Sequence, residues 1–145
     1  SIDLPIIAAG GMFSANSAAA AAAPAAEALQ MGTRMPASPE AVVHANFKEA
    51  IVAAHDAGTV LLDIPANPTM RVLRTGLAAR VAAHDPDVQL LGKVTGLYFD
   101  GDMEASVANT GQVSSRIADL LPVAEIVRRT WLEIEAALNG ARFRI

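Results

Sequence analysis

Two glycine-bearing turns are the residues best suited to chemistry. Gly10-Gly11 closes the apolar run Leu4 to Ala9, and Gly32-Thr33 closes Glu27 to Met31. A glycine at the end of a strand lets the backbone come close to a ligand and aim N–H groups at it. A helix starting just beyond adds a field that favours an anion. Thr33 contributes a hydroxyl donor. Side by side on parallel strands, the two turns make a cup for a phosphate. Ordinary tight turns use the same glycines, so the spacing alone leaves both readings open.

Other chemistries find little support. The Gly-x-Gly-x-x-Gly fingerprint of dinucleotide sites is absent, as is a Gly-Lys-Ser/Thr phosphate loop. There is no Gly-x-Ser-x-Gly elbow and hence no hydrolase assignment. The chain has no cysteine, which removes disulfides and thiolate chemistry. No His/Asp/Glu set has metal-ligand spacing, so no metal site is expected. His44 reads as a surface or capping residue. His55 and His84, beside Asp56 and Asp85, read as structural residues near helix ends. Arg34, directly after the second turn, could pair with the phosphate or with a carboxylate. No catalytic residue is assigned.

The composition sets the frame. The chain has 145 residues, 52% hydrophobic and 18% charged, which excludes disorder as the default. Thirty-one residues are alanine and only 4% are aromatic, so close helical packing is expected rather than a thick aromatic core. The net charge of -4, with no basic stripe, argues against nucleic acid. No apolar run approaches the ~20 residues of a membrane span, and Asp3 stands where a secretory signal would be basic. These features fit the cytoplasm.

The elements that must position the turns follow from periodicity. Leu4–Ala9 and Glu27–Met31 read as short buried strands of the parallel-sheet kind. Between them Ser14, Asn16 or Ser17 can cap an alanine helix that Pro24 cannot continue. Ser38-Pro39-Glu40 opens a second helix with an apolar face at Val43, Phe47, Ala50, Ile51 and Ala54, ending at Gly58. Thr59–Ile64 is a candidate third strand and Pro65–Pro68 a turn. Met70–Leu73 is ambiguous, and Leu77–Ala83 is helical. Tyr98–Asp102 predicts a turn into a short helix running through Ala108, with a break at Gly111-Gln112. Val123, Ile126, Val127, Thr130, Trp131, Ile134 and Leu138 form the stripe of a last helix that begins at Pro122 and ends at Gly140. Trp131 is expected in the core.

The strand–helix–strand unit is α/β, with a right-handed parallel crossover. Two parallel strands need neighbours and cover on both faces. The expectation is therefore the C-terminal fragment of a (β/α)8 TIM barrel, which needs roughly 200 or more residues in full. In such barrels a phosphate cup commonly follows strands seven and eight. Residues 1–58 would hold the last two βα units, 59–120 a mainly helical lid segment, and 121–145 a helix packed on the barrel.

The motifs IIAAGGM and AEALQMGTRM, with Gly10 and Gly32 22 residues apart, resemble the flavin-phosphate half of the nitronate monooxygenase family. This family, also called 2-nitropropane dioxygenase-like, includes FMN-dependent enoyl-ACP reductase II enzymes. The resemblance continues through HANFKE, Gly101-Asp102, Gly111-Gln112-Val113 and PVAEIV, and is loose over 59–100. Pro24-Ala25-Ala26 and Met35 depart from the family pattern. By resemblance, FMN contacts fall on Gly10, Gly11, Gln30, Met31, Gly32 and Thr33, and Gln112 is a candidate to reach the flavin region. The family's catalytic histidine lies in a Gly-Gly-His stretch that this chain does not contain, and is expected upstream of Ser1. The resemblance implies oxidation of alkyl nitronates with O2, or alternatively reduction of an enoyl thioester with NAD(P)H. A reading of another class is a non-catalytic remnant that binds a phosphate or a partner chain.

Overall fold

A computed structural model of the chain describes residues 4–14, 17, 20, 26–64, 68–89 and 92–140. Strands β1 (Ile7–Ala9) and β2 (Ala28–Gln30) pair in parallel, with Ile7 opposite Ala28 and Ala9 opposite Gln30. The parallel pairing is the one the crossover predicts. The alanine helix itself, and most of the Pro65–Pro68 turn, lie outside the described residues. The expected burial of these strands is not met: Leu4 is 68% and Ile7 63% exposed. Among the described residues the sheet has two strands, and no third strand or covering helix closes over Leu4 and Ile7.

The second helix, α1 (Ala45–Val52), starts six residues later than expected. Ser38 does not cap it. The Ser38 hydroxyl donates back to the Met35 carbonyl, folding residues 35–41 into turns. His44 is the cap instead, its Nδ1 accepting from the Asn46 N–H at 3.1 Å. The His44 N–H in turn donates to the Tyr98 carbonyl, and the Asn46 amide donates to the Gly101 carbonyl. Gly101 has φ +78°, and a Cβ there would overlap the His44 ring, so only glycine fits. The capping reading of His44 is met.

Strand β3 (Thr59–Leu62) pairs antiparallel with β4 (Met70–Leu73), which resolves the ambiguous segment as a strand. Asn109 bridges to Val72 on the outer side of β4. Helix α2 (Gly76–Ala82) packs on this hairpin. Its N-terminal amides are capped twice, by Thr75 Oγ1 at Ala78 and by the Glu104 carboxylate at Gly76 and Leu77.

The short helix expected after Asp102 forms before it, as α3 (Val94–Tyr98). Residues 101–108 are turns and extended chain. Their hydrogen bonds go elsewhere, with Ala105 accepting from Lys93 and Ala108 from Leu73. Gln112–Arg116 form a 3-10 turn, and α4 (Val123–Gly140) ends the described chain. Glu40 Oε1 accepts from the Val123 N–H at 3.0 Å, so Glu40 caps α4 across 83 residues rather than the helix it was expected to open.

Two apolar clusters form the core. One gathers Ala37, Phe47, Ile51, Leu73, Leu97, Ala108 and Ile117. The other gathers Leu62, Val72, Leu77, Ala78, Val81 and Val107 around the hairpin. Phe47 and Tyr98 meet edge to face at 4.9 Å. Residues 59–120 thus carry a core of their own, built on a sheet the sequence did not clearly announce. The α4 stripe divides. Ile126 and Thr130 are buried, while Val127 is 53% and Trp131 63% exposed. Trp131 is therefore not in this chain's core. It lines an open groove with Leu29, Met31 and Met35, a face of β2 that no described element covers.

Candidate functional site

The two glycine turns come together at the carboxyl ends of β1 and β2. They border a cleft of about 210 Å³ lined by Gly10, Gly11, Gln30, Gly32 and Thr33. Ala9, Met12, Gly111 and Val113 complete the wall. Met31 stands apart from the other five expected contacts: its side chain lines the apolar groove on the Trp131 side. Alternation along a strand accounts for this, since neighbours of Gln30 point to the opposite face.

The glycines play different parts. Gly10 and Gly11 have φ +83° and +71°, a left-handed pair that curls the backbone round the cleft. Gly32 has no such angle. A Cβ at any of the three would meet nothing within 4 Å. These backbones face open space rather than packed protein, as a cradle for a ligand requires. The turn after Gly11 is tied down by Ser17, whose Oγ accepts from the Phe13 and Ser14 N–H groups at 3.2 Å and donates to the Ser14 carbonyl. Ser17 was a candidate cap; here it braces the cup.

Thr33 Oγ1 accepts from the Gly111 N–H at 2.8 Å, across 78 residues. A hydroxyl that accepts one bond still has its own proton to give. Gly111 reaches this position because the chain before it is pinned to the hairpin. Val72 bridges Asn109, and the Thr110 N–H donates to the Arg71 carbonyl. The sequence marks Gly111 as a break and as part of the family resemblance, and neither reading points to Thr33. No local periodicity signals a contact this distant.

Arg34 turns away from the cleft. Its guanidinium donates to the Asp119 carboxylate at 2.6 Å and to the Asp119 carbonyl at 2.7 Å, and the residue is only 5% exposed. Of the two partners open to it, the carboxylate is the one it takes. The cup is therefore electrically neutral on its Arg34 side, built from backbone and a hydroxyl. Gln112 is exposed and lies outside the cleft lining. Among the described residues no cluster of His, Asp and Glu could hold a metal.

The arrangement defines an α/β chain with an open, glycine-lined cleft at the ends of two parallel strands. Residues 1–133 match the nitronate monooxygenase family, and the chain belongs to that family. It is similar to FabK from Thermotoga maritima, with 34% identity and a TM-score of 0.88 over 96% of this chain and 47% of FabK. The M276A variant of the same protein gives 36% identity and a TM-score of 0.84 over 97% of this chain and 45% of that one. A nitroalkane oxidase from Streptomyces ansochromogenes shares the fold at 24% identity, with a TM-score of 0.74 over 96% of this chain and 42% of the oxidase. The chain thus spans less than half the length of these relatives.

Proposed function

We propose that the chain supplies the phosphate-binding part of an FMN-dependent oxidoreductase. The observation that carries this reading is the cleft itself: two glycine turns on adjacent parallel strands, open at every glycine Cβ position, with one hydroxyl poised at the rim. Membership in the nitronate monooxygenase family supports it. The residues present fit a flavin phosphate. Gly10, Gly11 and Gly32 would present backbone to it, Thr33 would donate its hydroxyl, and Gln30 would border the chain that leads to the ring, while the Met31 side chain lies on the opposite face of β2. Bound FMN would supply two-electron redox chemistry, taking electrons from an alkyl nitronate and passing them to O2. The protein's own work here is to bind and orient. His44 is engaged as a helix cap, and the proton-transferring group is proposed to lie in parts of the family fold beyond this chain.

A second substrate reading has its own support. The 34–36% identity to FabK, an enoyl-ACP reductase II, favours reduction of an enoyl thioester with NAD(P)H as electron donor. One pair of assays separates the two. The intact protein loaded with FMN is given an alkyl nitronate with O2, and separately NAD(P)H with an enoyl thioester. Turnover in the first arm supports the monooxygenase and in the second the reductase. Failure to bind FMN refutes both.

A further inference from the structure

We propose that Gly111 is a positioning residue of the phosphate cup, holding the Thr33 hydroxyl so that its proton points into the cleft. The proposal rests on the FMN reading and deepens it. Three observations lead there. First, the Gly111 N–H donates to Thr33 Oγ1 at 2.8 Å, which commits the oxygen's acceptor side to the protein. Among the described residues Thr33 Oγ1 donates to none, so its proton remains for a ligand oxygen in the cleft that Thr33 and Gly111 both line.

Second, the backbone angles do not require glycine at 111. With φ -96° and ψ 158° the residue is extended, a conformation open to any side chain. What requires glycine is space. A Cβ at 111 would stand 2.8 Å from Thr33 Oγ1 and 3.3 Å from Val113 Cγ1. The cheapest relief is rotation of Thr33 to another staggered rotamer, because a β-branched side chain has few intermediate positions. That rotation carries the hydroxyl out of the cup and leaves the backbone in place.

Third, Gly111 is itself held firmly. Its carbonyl accepts from the Ser114 N–H at 3.1 Å and from the Ser114 hydroxyl at 2.8 Å, and Ser114 is fully buried. The Arg34–Asp119 pair ties the same segment to the Thr33 loop a second time. The hydroxyl's direction is therefore set by residues 108–119, remote in sequence from the glycine turns.

The test is a double-mutant cycle on the intact protein, with FMN affinity read by quenching of flavin fluorescence. Gly111→Ala and Thr33→Val should each weaken binding, by roughly ten- to a hundredfold for one hydrogen bond to a charged group. Because Gly111 acts through the hydroxyl, the double variant should bind within about threefold of Thr33→Val alone. A merely structural role for Gly111 would add its loss to that of Thr33→Val. Additive losses, or no loss in Gly111→Ala, overturn the proposal while the FMN reading stands. If the parent binds neither FMN nor inorganic phosphate, the FMN reading falls and this proposal with it. Should Gly111→Ala not fold, amide exchange at Gly111 takes its place. FMN should slow that exchange in the parent and not in Thr33→Val, and equal slowing in both overturns the proposal.

Discussion

The cleft proposed to take the flavin phosphate has no cation among its described lining residues, so binding there would rest on a few short bonds and single residues should be legible in it. On the proposed reading, Thr33→Ala removes a donor to the phosphate, at the far end of the ribityl chain from the flavin ring. That loss weakens ground and transition states alike. The expected outcome is lower FMN affinity with turnover restored at saturating FMN. A defect that persists with the site full would place Thr33 near the reacting ring. Gly32→Val tests the open space. Gly32 has no left-handed angle, and a Cβ there would meet nothing within 4 Å among the described residues, so the fold should accept the valine while the cup does not. FMN affinity should fall about ten- to a hundredfold per lost bond, with the melting temperature near the parent's. Gly11→Ala should differ in kind. At φ +71° a Cβ strains the backbone by roughly 1–2 kcal/mol, so stability and affinity should fall together. Thermal melting beside flavin titration separates the two glycines.

The elements around the cup are tied together by long-range caps and by an ion pair between buried Arg34 and exposed Asp119, and these set the predictions at their scale. Arg34 is almost wholly enclosed, so Asp119→Ala leaves a buried guanidinium with only the backbone carbonyl for company. A lost bond to a charged group costs about 1.5–3 kcal/mol, and the denaturation midpoint of the intact protein should report it. Helix α4 offers a pH test. Glu125, in its first turn, is bound by Arg128 at 2.8 Å and by Arg129, and these bonds hold its carboxyl down to about 2. Its folded value lies below the ordinary carboxylate value of 4.5. The contribution is therefore complete above about 4.5 and is lost as pH falls toward about 2. Carboxyl carbon shifts of Glu125 should show a midpoint near the lower value, and Arg128→Ala together with Arg129→Ala should raise it.

At the scale of the whole molecule, the chain leaves much of itself uncovered. Its accessible surface is 9146 Å² for a mass of 15.0 kDa, against roughly 7,000 Å² for a compact chain of that size. The surplus includes apolar area on β1 and the residues leading into it, where Leu4, Ile6 and Ile7 are exposed, and on α4 at Val127 and Trp131. A two-stranded parallel sheet with exposed apolar residues, and with no further strand paired to it among the described residues, is prone to associate. Produced by itself, the 145-residue chain should aggregate or melt without a cooperative transition. A monomeric sample with a sharp thermal transition would show that the core of residues 34–126 is enough. No described helix is long and apolar enough to cross a membrane, so the exposed patches do not amount to a span.

The turns that matter, Gly10-Gly11 and Gly32-Thr33, were legible in the sequence because a strand end, a glycine and a hydroxyl are local signals, and the family motifs carry the same residues. The parallel pairing of the flanking strands followed from the crossover between them. What sequence could not supply was any contact between distant segments. Glu40 was read as the start of its own helix and instead caps α4; Arg34 had two plausible partners and takes Asp119; Gly111 read as a break and touches Thr33. The β3–β4 hairpin was half seen, because MRVL is too short for either periodicity to show. Trp131 sits on an apolar stripe, but a stripe states only that a face is apolar, and whether anything covers it depends on the elements beside it. Local propensity and turn chemistry fix which groups are present and how the nearby backbone runs. Direction, partnership and burial arise only when segments 78 or 85 residues apart are brought within hydrogen-bonding distance, and no local pattern records that.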